Sequence, residues 1–108
     1  MIKVKYYRKR HRVCVSGHAG SGAAGHDLVC ASVSILVYTL ASFVKSMAST
    51  GRVRASSLKL GSGDARVSVG VDKVHDAAVT LAFDTVCGGF ELLCRDYPEF
   101  VNYEILEH

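Results

Sequence analysis

Acidic residues are missing from two long stretches of this chain, residues 1 to 26 and residues 28 to 63, and proline occurs only once, at Pro98. Near Met1 there is no charged segment leading into an apolar run and a small-residue cleavage site, so secretion is not expected and the cytoplasm is the expected location. There Cys14, Cys30, Cys87 and Cys94 stay reduced, which excludes a disulfide framework. The longest uncharged run, Leu28 to Val44, falls short of a usual membrane span and is interrupted by Ser32, Ser34, Thr39 and Ser42. A buried or dimer-facing helix is therefore expected, with no membrane partner. At 108 residues and 49% hydrophobic, the chain has material for one core. We expect one domain over residues 1 to 105, with Leu106, Glu107 and His108 reading as an expression-tag junction.

The net charge is +3, but Lys3, Lys5, Arg8, Lys9, Arg10 and Arg12 supply six positive charges, so the remainder of the chain is at −3. "RKRH" at residues 8 to 11 reads as a solvated turn. No aromatic residues interleave with its charges, and direct nucleic-acid binding is not expected. His11 and His75 read as exposed.

Hydrophobic spacing outlines the elements. "IKVKYY" and "RVCVSGH" alternate as the strands of a hairpin. Val29, Val33, Leu36, Val37, Leu40 and Val44 recur at helical spacing, with Asp27 as N-cap and Gly51 as stop signal. "RVRASSLKL" and "ARVSVGV" flank "GSGD" as a second hairpin. Ala78, Leu81, Ala82, Val86, Leu93 and Cys94 mark a second helix, capped by Asp76 and kinked or frayed at Gly88 and Gly89. Residues 79 to 83 also fit a short buried strand. Pro98 ends the helix, and "FVNYEIL" alternates as a last strand. The expected fold is α/β, an α+β two-layer arrangement of a small mixed sheet with two helices, in the order β-β-α-β-β-α-β.

The stretch "GHAGSGAAGHDLVCASVS", residues 17 to 34, concentrates the candidate chemistry. Its "GSGAAG" satisfies a dinucleotide fingerprint, yet no acid follows at the distance that would hold a ribose, and the lysine of a Walker loop is missing. Cys14, His18, His26 and Cys30 offer four zinc-type ligands, but their spacing departs from the usual knuckles and Cys14 reads equally well as a small core residue. The third reading is a cysteine nucleophile. With Asp27 as N-cap, Cys30 would occupy the third helical position, where unpaired amides and the helix dipole favour a thiolate. His18, at the end of the preceding strand, would return across the loop as general base. Gly20, Gly22 and Gly25 would let that loop bend and approach a peptide, leaving amides for an oxyanion. On residues alone a cysteine in an apolar helix is more often a core residue. Ser34 lies one turn after Cys30 on the same face, as site support or as a helix serine bonded to its own backbone. Cys87 and Cys94 read as core.

The same stretch resembles the signature of the bacterial ribosomal-processing cysteine proteases, the Prp family: Gly-His-Ala, a glycine-rich loop, then Asp-x-Val-Cys-Ala-x-x-Ser. The resemblance extends loosely over most of the chain, to Tyr97 and Pro98 before the last strand. It implies a homodimeric cysteine endopeptidase that needs no cofactor and removes the short N-terminal extension of a large-subunit ribosomal protein. Cys30 would then be nucleophile and His18 base, with Asp27 and Ser34 at the remaining polar positions and an apolar groove beside Cys30. The glycine loop is the expected lid. The competing expectation is a non-enzymatic, ribosome-associated module that contacts RNA through Lys9, Arg10 and Arg12.

Overall fold

The computed structural model describes residues 1–18, 26–61 and 63–107, with His26 and Asp27 described by backbone alone. Strand β1 (Ile2–Tyr7) buries Ile2, Val4 and Tyr6 and exposes Lys3 and Lys5, as its alternation dictates. A 3₁₀ turn at Arg8–Arg10 and a left-handed His11 (φ 49°) lead into β2 (Arg12–Ser16), which pairs antiparallel with β1. Helix α1 (His26–Ser49) stops where Gly51 takes φ +72° and its N–H donates to the Ala48 carbonyl at 3.1 Å. Strands β3 (Ala55–Gly61) and β4 (Asp64–Gly70) form the second hairpin, with Gly63 at φ +73° in its turn. Helix α2 (Lys73–Asp96) ends ahead of Pro98, and β5 (Val101–Leu106) runs parallel to β1. Leu106 is the last residue of β5 and pairs with Tyr7.

The strand order is β3-β4-β2-β1-β5, a mixed sheet. Both helices lie on one face of it. Val29, Val33, Val37, Leu40 and Val44 of α1 and Val79, Phe83, Cys87 and Phe90 of α2 bury against Ile2, Val4, Tyr6, Val13, Val15, Val67 and Val69 of the strands. Each large side chain in that layer stabilises the fold by about 1.5–3 kcal/mol. The expected α+β two-layer fold and its element order are therefore the observed ones. Both helices are long and apolar enough to cross a membrane by length and composition, α1 including a 22-residue segment, Leu28–Ser49. Here part of that apolar content supplies the core.

Several local expectations are corrected. Residues 79 to 83 are helical, and α2 runs unbroken through Gly88 and Gly89. A Cβ at Gly89 would lie 2.6 Å from Leu36 Cδ2, so the glycine allows α1 and α2 to approach rather than bending the helix. Asp72, not Asp76, precedes α2, and its carboxylate meets the Arg54 guanidinium at 2.9 Å instead of capping. Helix α1 starts at His26, so Asp27 lies in its first turn rather than ahead of it, and Cys30 falls in the second turn.

His11 is buried, not exposed. One of its ring nitrogens is 2.8 Å from the Thr80 hydroxyl and 3.4 Å from Asp76, and the ring meets Phe83 edge-on. Part of the basic turn is engaged as well: Arg8 donates to both oxygens of Asp84, at 2.9 Å and 3.0 Å, and the buried Tyr6 hydroxyl donates to the same carboxylate at 2.8 Å. These donors hold the Asp84 carboxyl below the usual carboxylate range, while burial raises the Tyr6 phenol.

Candidate active site

β2 ends at Ser16, and the backbone turns at Gly17, whose φ of +91° suits glycine. A Cβ at Gly17 would lie 2.3 Å from the Met1 carbonyl oxygen, so no other residue fits that position without movement. Gly17 N–H donates to the Gly63 carbonyl at 2.9 Å, and the Met1 amino group donates to the His18 carbonyl at 2.5 Å. His18 is thus fixed by its backbone to β1 and to the β3–β4 turn. Its ring lies directly on Gly63, where a Cβ would meet His18 Nε2 at 2.4 Å and Cε1 at 2.7 Å. The imidazole occupies the space a side chain at 63 would take.

Cys30 is half-buried against the core on the sheet-facing side of α1, and Ser34 follows one turn later. His18, Cys30 and Ser34 line one cavity of about 160 Å³. Apolar side chains of Ile2, Val15, Val33 and Val37 form its floor, and Tyr38, Leu60, Gly63 and Asp64 complete its rim. Asp64 accepts from the Lys59 ammonium at 2.6 Å, which holds its carboxyl below the usual range. The structure therefore brings together three of the expected site residues: a thiol, an imidazole and a hydroxyl. Gly20, Gly22, Gly25 and the side chain of Asp27 lie outside the described residues.

The four-ligand zinc reading fails on geometry. Cys14 pairs in register with Lys5 and Arg66 on the sheet face away from the helices, whereas Cys30 packs from the helix side. Cys87 is core, as expected; burial pushes its thiol up to about 12, against the lowering effect of a hydrogen bond with Tyr103. Such a thiol does not act as a nucleophile near neutral pH.

Sequence reasoning missed Gly63, Asp64 and Tyr38. "GSGD" explains the turn that carries the first two, but nothing local to it signals that the turn supports the histidine. Tyr38 was readable as a third step along the face of Cys30 and Ser34, at i+8 and i+4.

A thiol on a helix and an imidazole on a strand end open on one cavity of an α+β two-layer fold, the pair of groups that a cysteine-type hydrolase uses. The family model described as "Cysteine protease Prp" matches residues 1–102. The chain belongs to that family and is a cysteine protease, which removes the non-enzymatic reading. Solved structures agree in fold. SMU.848 from Streptococcus mutans is 25% identical with a TM-score of 0.67, over 99% of this chain and 93% of that one. The essential ribosomal processing protease Prp from S. aureus is similar in two crystal structures. With a substrate peptide the TM-score is 0.69 at 17% identity; with a covalently linked product peptide it is 0.68 at 18%, each over 96% of both chains. No curated protein sequence matches.

Proposed function

We propose that this protease is a cytoplasmic homodimeric endopeptidase that removes the short N-terminal extension of a large-subunit ribosomal protein. The observation that carries the reading is the shared cavity of Cys30 and His18. The processing role of the S. aureus structures with their peptides supports the substrate class.

In this mechanism His18 accepts the Cys30 thiol proton, and Sγ attacks the scissile carbonyl carbon. As the tetrahedral intermediate collapses, His18 passes the proton to the leaving amine, and a thioester remains on Cys30. Water, deprotonated by His18, then attacks the thioester and releases the acid, and the proton returns to the thiol. Asp27 acts as orienter of His18 or as a first-turn acid of α1, and Ser34 lends polar support beside Cys30. Gly20, Gly22 and Gly25 form the substrate-facing loop, and the apolar floor of the cavity receives the residues before the cut.

The test is incubation with large-subunit ribosomal proteins carrying their native N-termini, read by mass spectrometry. Wild-type protein is expected to shorten one of them. Cys30→Ala should abolish the cut with the circular dichroism spectrum unchanged, and Cys87→Ala should leave it largely intact. Cleavage retained by Cys30→Ala would overturn the assignment.

A further inference from the structure

Among the described residues no element covers the sheet face opposite the helices, and its charge is mostly of one sign. Strand register gathers five cations there from four strands: Lys3 and Lys5 of β1, Arg12 of β2, Arg66 of β4 and Lys59 of β3. Lys5, Cys14, Arg66 and Lys59 follow one another in a single row across the sheet. Two carboxylates share the face, Asp64 and Glu104. Asp64 is occupied by Lys59; Lys3, Lys5, Arg12 and Arg66 form no ion pair among the described residues. Arg12 adds a separate sign, because its Nε is buried without an acceptor among the described residues. A buried donor left unmet costs folding stability, so sheet cohesion does not explain the guanidinium there.

We propose that this face binds single-stranded RNA through its phosphate backbone. Apart from Cys14 at its centre and Tyr7 and Leu106 at one end, the face is polar, with Ser16, Ser57, Ser68 and Asn102 among its cations, and it offers little of the apolar area that a protein partner's binding energy needs. Its cations span three strand-to-strand steps, roughly 14 Å, and form a flat positive field suited to an extended polyanion. Tyr7 sits opposite Arg12 in register, half-buried on the same face, with the Arg10 guanidinium 6.0 Å from its ring centroid, so a base would stack there by displacing that guanidinium. The serine hydroxyls and the Asn102 amide suit a ribose 2′-hydroxyl, which distinguishes RNA from DNA. The basic turn read from sequence is not the centre of this surface: Arg8 is committed to Asp84, and Lys9 and Arg10 lie beyond the strands. The surface meets the rim of the proteolytic cavity at Asp64, and the proposal does not depend on the substrate assigned above.

Fluorescence anisotropy with a labelled 16-nucleotide single-stranded RNA tests the proposal. At about −0.7 in slope per neutralised phosphate, four cations predict a slope near −2.8 for log affinity against log salt, or about 50-fold weaker binding at 200 mM than at 50 mM. The Lys3→Ala, Lys5→Ala, Arg66→Ala triple variant should lower the slope's magnitude by about 2. A Lys45→Ala, Lys73→Ala control on the helices should leave it unchanged. Circular dichroism confirms that each variant is folded. Absence of binding at 50 mM salt, an unchanged slope in the triple variant, equal affinity for DNA of the same sequence, or capture by phosphatidylserine vesicles with no RNA binding would each overturn it.

Discussion

Gly51 and Gly63 have nearly the same backbone, φ +72° and +73°, but different surroundings. A Cβ at Gly51 meets nothing within 4 Å, whereas one at Gly63 drives into the His18 imidazole. Alanine at either position is forced into a left-handed conformation, costing about 1–2 kcal/mol. Both variants should therefore lose comparable stability in urea denaturation. With His18 as the proposed base, Gly63→Ala alone should also lose kcat/KM, by about 100-fold, because an ångström of displacement at a catalytic group has that effect. Equal peptide cleavage by the two variants would show that the ring's seat on Gly63 is irrelevant to the reaction. His18 and Cys30 were legible in the sequence because a strand end and a helix start flank one short loop. Gly63 was not, because its contact with His18 spans 45 positions and only the folded sheet closes that distance.

Glycines in a helix raise a similar contrast at the scale of the element. Gly88 is exposed with open space where its Cβ would sit, while Gly89 is held against Leu36 of α1. Gly88→Ala should stabilise the protein by about 0.8–1 kcal/mol, the helix-propensity difference, read as a higher denaturation midpoint. Gly89→Ala gains the same propensity but must displace the Leu36 side chain, so its midpoint should fall below that of Gly88→Ala. Equal gains would mean that the helices do not meet closely at this point. Periodicity made both helices and all five strands readable, since each buries one face and solvates the other. It could not tell a kinking glycine from a packing glycine, because both look alike until the neighbouring helix is in place. Nor could it foresee the burial of His11, whose partners Thr80 and Asp76 lie on α2, more than sixty residues away.

Across the whole molecule, the two layers present opposite surfaces: a cationic sheet and helices with apolar residues left outside. The sequence showed the N-terminal charge but not the face, because Arg66 and Lys59 join Lys3 and Lys5 only through register. On the helix side, Leu28, Ile35 and Tyr38 of α1 are 58%, 61% and 55% exposed, and their spacing places them on one stripe. On α2, Val74, Leu81 and Leu92 are 81%, 69% and 53% exposed and also share one stripe. Of the two stripes, only that of α1 reaches the cavity, through Tyr38. A homodimer built on α1 would therefore set each protomer's partner beside its own site, which one built on α2 would not. In a two-fold interface one substitution acts twice. Ile35→Lys should weaken self-association by at least about 100-fold, seen as a monomer by light scattering, and should reduce peptide cleavage at concentrations where wild-type protein is dimeric. Leu81→Lys should do neither. A dimer that survives Ile35→Lys but dissociates with Leu81→Lys would move the interface to α2 and leave the cavity open to solvent on its α1 side.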